Sequence, residues 1–367
     1  MKTLLNHSIS FFIHILIFVF SQAQLNAQSI TFPQGIWITE VSDDGNTVVG
    51  TFRNLTLNAD IASRWTASGG IQELGTLPDR NNSKATAGSS DGNVVVGYSY
   101  YYDGSQNHNY AAFRWTPSGG MQAIAPNAES SHAYDVSGDG SVVVGYMILS
   151  GYSYARPFRW TANGGVEDLS SIIGYGVVTG ASFDGSVIVG NTYDTLSFIN
   201  RPFRLIGNTL EIYSPTYSNI SVSSVSGDGE VVVGQFGSGN STYPFRWDSV
   251  MQNLQDPAFE HSLASRTNYD GSIIVGHDNG PFNNDKNAWR WTISNGFQNL
   301  NVIYSSILPN NVQLFYANSI SSDGRYIAGF AGDGLNGLAY ILDTQSSLHI
   351  TEPTNTSKFI AGETGLI

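Results

Sequence analysis

The sequence predicts an all-β protein, a seven-bladed β-propeller of four-stranded antiparallel blades, on three observations. An Asp-Gly pair recurs seven times at intervals of 42 to 53 residues, at Asp44, Asp91, Asp139, Asp184, Asp228, Asp270 and Asp323. Two or three residues later a short β-branched run ends in Gly, as in Val142-Val143-Val144-Gly145. An Arg-Trp pair follows at Arg64, Arg114, Arg159, Arg246 and Arg290, replaced by Arg204-Leu205 in the fourth copy and Tyr340-Ile341 in the seventh.

Each unit reads as four short strands. The inner strand precedes Asp-Gly, as in Ala133–Ser137, and the second strand is the Val-Val-Val-Gly run. The third is Ala112–Thr116 and its equivalents, and the outer one follows a Gly-Gly turn, as in Met121–Ile124. Asp-Gly between β-branched runs is a hairpin signal, because Gly tolerates the positive φ of a tight turn. A period near 46 residues with four strands and no helical periodicity fits a propeller blade. Closure needs a strand for the last blade, since an open edge invites aggregation. Ile30–Phe32 is expected to pair there beside Leu338–Leu342, with Ser347–Ile350 as the competing segment.

Composition bounds the rest. The 367 residues include 40 Gly, 19 Tyr, 19 Phe and 7 Trp, and only 12% are charged. Lys2, the apolar stretch Phe11–Phe20 and a small-residue site near Ala23 or Gln28 read as a secretory signal peptide over residues 1–28. The propeller is expected over 29–350 and a polar tail over 351–367. Secretion or a periplasmic location follows, with no membrane insertion of the mature chain. No cysteine is present, so disulfides and thiolate metal sites are excluded. Removing residues 1–28, with one Lys and no acid, takes the formal charge from −13 to −14. A chain this acidic is repelled by phosphate backbones, which excludes nucleic acid as a partner.

The third unit, Ala133-Tyr134-Asp135-Val136-Ser137-Gly138-Asp139-Gly140-Ser141-Val142-Val143-Val144-Gly145, resembles the HAF repeat of extracellular bacterial proteins. The second unit adds Ala112-Phe113-Arg114-Trp115-Thr116 and Gly119-Gly120-Met121. The His that gives that repeat its name is missing; Ala111, Arg156 or Tyr243 stands near its place. Ser321-Ser322-Asp323-Gly324 is similar to the repeat of TolB-like and WD40-like propellers, without its Pro. The resemblance implies a repeat fold and an exported location, and it implies no activity. Some such proteins are passengers of outer-membrane barrels. The roughly 17 residues here after the last blade are too few for a barrel, so a free product is expected.

The repeat residues read as structure. Six arginines (Arg64, Arg114, Arg159, Arg204, Arg246, Arg290) alternate with Phe and Trp on the third strands and need partners where buried. The Asp of the Asp-Gly turn is the expected partner. One carboxylate per turn is a poor calcium cage, and no metalloprotease, nucleophile-elbow or phosphate-loop motif occurs. No catalytic residue, metal or cofactor is assigned.

Departures from the repeat point to function. By strand parity, the loops between second and third strands and between blades share one face of the disc, and they vary most. Tyr100, Tyr101, Tyr102 and His108 of the second blade, with Tyr152 and Tyr154 of the third, are the candidate ligand contacts. The Asn- and Asp-rich segment His277–Asn287 extends this face. Tyrosine suits sugar rings or protein partners. Inner strands line the channel, where most units place a small residue four positions before the Asp; Glu40, Asp135 and Arg266 are the exceptions. They are expected to form a channel ion pair or to touch a ligand. His132, His261 and His277 lie near one face, and isolated loop histidines are a better reading than a metal site. The expectation is a monomeric, non-enzymatic module that binds an extracellular glycan or protein. The alternatives are a propeller hydrolase or lyase acting on polysaccharide and a structural or adhesive repeat protein.

Overall fold

One set of hydrogen bonds, repeated at each Asp-Gly pair, closes the inner hairpins. In the third copy the Ser137 hydroxyl donates to Asp139 Oδ1 (2.6 Å) and accepts from the Val142 amide (3.0 Å). Asp139 Oδ1 also accepts from the Ser141 amide (2.9 Å). In the sixth copy Asn268 replaces the serine, donating to Asp270 Oδ1 (2.9 Å) and accepting from the Ile273 amide (2.8 Å). Burial pushes the carboxyls of Asp44, Asp91 and Asp139 up, but the serine and backbone hydrogen bonds outweigh it and hold them below the usual range. Ser137→Ala strands the buried Val142 amide and is expected to cost about 1–3 kcal/mol, read by thermal unfolding.

The computed structural model describes residues 28–32, 36–194, 199–213, 218–238, 241–254, 261–278, 286–306, 308–332, 337–344 and 357–361. Seven antiparallel sheets follow one another along the chain, six of four strands and a seventh of three among the described residues. Each is a simple meander, for example Ser130–Val136, Val142–Ile148, Arg156–Thr161 and Gly165–Asp168 in the third blade. The inner strands touch their neighbours in a closed circle, with Ile36–Val41 of the first blade against Gln313–Ile320 of the seventh.

The core is divided among the seams between blades. Successive valines of one second strand point to opposite seams, as the period of two requires. Val143 packs with Val96 and Ala112 of the second blade; Val142 and Val144 pack with Ile188 and Phe203 of the fourth. The last seam is built from Ile38, Val48 and Trp65 with Ala328, Ala339 and Ile341, so the seventh blade meets the first as any other pair meets.

Backbone hydrogen bonds also join the turns into a ring. They run Asp43 N to Ser90 O (2.8 Å), Ser90 N to Gly138 O, Asp139 N to Phe183 O, Phe183 N to Gly227 O, Asp228 N to Tyr269 O and Tyr269 N to Ser322 O (each 2.9 Å). The final link is made by a side chain: the Ser322 amide donates to Asp43 Oδ1 (2.6 Å).

Two expectations need correction. Gln28–Phe32 does not pair with Leu338–Leu342; it pairs antiparallel with Ser357–Ala361 in a separate two-stranded sheet. The segment Phe359-Ile360-Ala361 gives the otherwise polar tail the apolar residues a strand favours. The competing segment Ser347–Ile350 and residues 1–27 of the expected signal peptide 1–28 lie outside the described residues. The strand-three arginines do not pair with the turn aspartates, whose oxygens are taken by serine and backbone donors. Arg159 and Arg204 pair with Glu167 (2.7 Å) and Glu211 (2.9 Å) of their own outer strands. Arg114, Arg204 and Arg246 reach the next blade through the carbonyls of Gly140, Gly229 and Gly271. Arg114 and Arg204 also lie over Trp160 and Trp247 at 5.5 and 4.8 Å from the ring centroids, a cation–π contact across the seam.

Each inner strand carries a β-bulge opposite the glycine that ends Val-Val-Gly. The register slips between Ile38 and Glu40, Ala85 and Ala87, Ala133 and Asp135, and likewise in the other four blades. The strands approach so closely there that a Cβ on Gly97 would sit 1.9 Å from the Lys84 carbonyl oxygen. The extra residue is Thr39, Thr86, Tyr134, Thr179, Ser223, Ser265 or Asn318, and all seven line one cavity on the axis.

Candidate functional site

The channel is layered by position along the inner strands. At the mouth, on the loop face, lies a cavity of about 410 Å³ walled by the seven bulge residues, with Trp37 at its lip and Arg266 at its floor. The bulge residues are uncharged, and several of their hydrogens are committed. Thr86 Oγ1 donates to Ala133 O (2.9 Å), Thr179 Oγ1 to Val222 O (3.0 Å) and Asn318 Nδ2 to Ile38 O (2.9 Å), each tying its blade to a neighbour.

The residue after the bulge forms the next layer. Here the structure brings together Glu40, Asp135 and Arg266. Arg266 Nη2 lies 3.1 Å from Glu40 Oε2 and 3.2 Å from Asp135 Oδ1, with the three side chains 16%, 15% and 7% exposed. Asp135 Oδ2 accepts from the Ala181 amide (3.0 Å), and the Ser319 hydroxyl donates to Glu40. Below this plug a second cavity of about 90 Å³ opens on the turn face beside Phe183 and Tyr269. The carboxylates therefore serve as a plug around one guanidinium and do not face each other across open solvent.

Burial raises the Glu40 carboxyl to about 7, against the opposing pull of Arg266 and of the Ser319 hydrogen bond. Its folded value thus exceeds its unfolded value near 4.5, so the folded state holds the extra proton between those limits. Glu40 should stabilise the fold below pH 4.5 and lose that contribution as pH rises through 7. Denaturant unfolding at several pH values should show Glu40→Gln flattening this part of the profile by up to about 3 kcal/mol.

The candidate tyrosines fall into two groups. Tyr100 is buried at 5% exposure and stacks on Tyr110 at 5.6 Å. It belongs to a half-buried aromatic run at the seam of the second and third blades, where His132 lies 4.3 Å from Tyr98, 4.8 Å from Tyr110 and 5.0 Å from Tyr146. Tyr146 in turn meets Tyr134 of the channel wall at 5.6 Å. Tyr101 and Tyr102 are exposed, and His108 Nε2 is held by Asp103 (3.0 Å) within its own loop. In the third blade the exposed Tyr152 lies under Arg156 (4.9 Å), and Tyr154 lies against Tyr175 (5.0 Å) of the fourth. Burial pushes the imidazoles of His132 and His277 down to about 4, His277 with help from Lys286, so both are neutral at pH 7. Among the described residues no three His, Asp or Glu side chains form a metal site. Most of the sixth-blade loop, 279–285, lies outside the described residues.

Trp37 and the bulge ring escaped the sequence reading. Trp37 is 47% exposed, and its indole rests on Phe330 (4.8 Å, stacked) and Tyr316 (5.9 Å). One signal was present: Trp37 stands outside every Arg-Trp pair, on an inner strand.

No protein-family model and no curated protein matches the chain. Solved structures do match. The chain is similar to an oligogalacturonate lyase in complex with manganese, at 12% identity and a TM-score of 0.56, over 88% of this chain and 94% of that one. It is similar to the β-propeller domain of the Trilobed protease from Pyrococcus furiosus, at 10% identity and a TM-score of 0.55, over 85% and 93%. A third match is TolB from Acinetobacter baumannii, at 12% identity and a TM-score of 0.48; it covers 70% of this chain but only 63% of TolB. Likeness at such identities establishes the propeller fold and leaves activity to be argued from the site. No helix among the described residues is long and apolar enough to cross a membrane.

Proposed function

We propose that the protein is an exported, non-enzymatic binding module that holds an extracellular glycan on the face formed by the variable loops. The observation that carries this reading is the difference between the two faces. The turn face is tied shut by the hydrogen-bonded ring and offers a cavity of about 90 Å³. The loop face opens into a cavity of about 410 Å³ lined by hydroxyl and amide groups together with apolar side chains above Arg266, with Trp37, Tyr101, Tyr102, Tyr152 and Tyr154 exposed on inner strands and loops of that side. Aromatic rings beside hydrogen-bonding groups suit a ligand with both apolar ring faces and hydroxyls. Hydrolysis or elimination on a sugar chain calls for carboxylates that reach substrate and water. Arg266 engages both channel carboxylates, which favours binding over chemistry.

A glycan array probed with the mature protein tests the reading. At least one glycan should bind, and Tyr101→Ala/Tyr152→Ala should weaken it about tenfold, as loss of aromatic contacts does. Tyr269→Ala, on the turn face, should leave it unchanged. An array without a hit, or a loss confined to Tyr269→Ala, would overturn the proposal.

A further inference from the structure

Resting on the reading above, we infer that the channel mouth seats one ring of an uncharged sugar chain, stacked on the open face of Trp37. The indole is propped from behind by Phe330 and Tyr316, so it is already ordered before a ligand arrives. Little side-chain entropy is then lost on binding. The cavity, at about 410 Å³, falls within the roughly 300–1,000 Å³ of small-molecule sites.

The wall sets the ligand's chemistry. Thr86 and Thr179 have given their hydroxyl hydrogens to backbone carbonyls, and the Ser223 hydroxyl has given its own to Gln235 Oε1 (3.0 Å). A hydroxyl oxygen that has donated its hydrogen still accepts. The wall therefore presents fixed acceptors and asks for a ligand rich in O–H donors. The floor supplies the complementary donors. Arg266 makes both ion pairs through Nη2. Its Nε and Nη1 make no hydrogen bond among the described residues, and Arg266 lines the cavity. These N–H groups can donate to a ring or hydroxyl oxygen.

Charge excludes acidic sugars. Arg266, the one charged residue of the cavity lining, is already paired with Glu40 and Asp135 beneath the floor, and the chain as a whole carries −13. A uronate or sulfated unit would find no unpaired cation in the wall and would approach against the net negative charge of the chain. Following units have a path: Tyr134 of the wall meets Tyr146, and Tyr146 leads to His132 and Tyr98 along the seam of the second and third blades. His132 is uncharged at neutral pH, as such a path requires.

The test is calorimetric titration of the full exported chain with cellotetraose, maltotetraose, mannotetraose and tetra-N-acetylchitotetraose, and with tetragalacturonate as the acidic arm. At least one uncharged tetrasaccharide should bind, and tetragalacturonate should not. Trp37→Ala should weaken binding at least about tenfold, or 1.4 kcal/mol, and Trp37→Tyr should stay within about threefold of the wild type. Should Trp37→Ala fold poorly, acrylamide quenching decides. Sugar should protect the wild-type indole fluorescence, and that protection should be missing from Trp37→Tyr. No binding by any uncharged tetrasaccharide, or a preference for tetragalacturonate, overturns the inference. Full-strength binding in Trp37→Ala that is lost in Tyr101→Ala/Tyr152→Ala also overturns it, while leaving the loop face as the binding face. An empty array removes both.

Discussion

Gly97→Ala is expected to abolish the folded state. Gly97 pairs with Ala85 where the inner strand of the second blade bulges, between Ala85 and Ala87. A methyl there would stand 1.9 Å from the Lys84 carbonyl oxygen and 3.1 Å from the Ala85 Cα. Both obstacles are backbone, and the strand that carries them is fixed by its neighbours around the axis. Relief would require straightening the bulge, which withdraws Thr86 from the channel and breaks its bond to Ala133 O. The loss should exceed about 4 kcal/mol, beyond ordinary overpacking. Gly120→Ala is the control. Gly120 has φ +62° but nothing within 4 Å of its would-be Cβ, so it should cost only the left-handed penalty of about 1–2 kcal/mol. Soluble yield and far-UV circular dichroism decide. A Gly97→Ala protein that melts near the wild-type temperature would contradict the bulge.

Arg266→Met is the second large effect. It leaves Glu40 and Asp135 in a plug with no cation, and removing one partner of a buried ion pair costs about 3–5 kcal/mol. The loss should depend on pH in one direction. Without Arg266 the pull that lowers Glu40 disappears while burial and Asp135 still raise it. Acidification, which neutralises the carboxyls, should then restore stability. Denaturant unfolding at pH 5 and 8 should show Arg266→Met weakest at pH 8. Arg266→Met/Glu40→Gln should recover part of the deficit there. Equal stability of Arg266→Met at both pH values would mean that the three groups do not share one site.

The blades were legible because the repeat states them residue by residue. Asp139-Gly140 marks the hairpin, Val142-Val143-Val144 the second strand and Phe158-Arg159-Trp160 the third. Parity alone then assigned the variable loops to one face. The meeting of Glu40, Asp135 and Arg266 could be posed from their common position four residues before Asp-Gly, although only coordinates supply the distances. The arginine partners were misread for a physical reason. Sequence shows charge, but it does not show that Ser137 and the Ser141 amide already occupy the Asp139 carboxylate, nor that Arg204 has Glu211 within reach. The bulges left a trace, an isolated Gly closing every β-branched run, which signals a close backbone approach. Which residue the slip turns into the channel depends on register, and register is a property of two strands. The pairing of Gln28–Phe32 with Ser357–Ala361 joins the two ends of the chain, where no local signal exists.

The most direct measurement is a crystal structure of residues 29–367 with the tetrasaccharide that binds most tightly. Electron density for a sugar ring should lie over the exposed face of Trp37, inside the ring of bulge residues, with later units toward Tyr134 and Tyr146. Density on the Asp-Gly turn face beside Phe183 and Tyr269, or along the outer strands with the mouth filled by water alone, would contradict it.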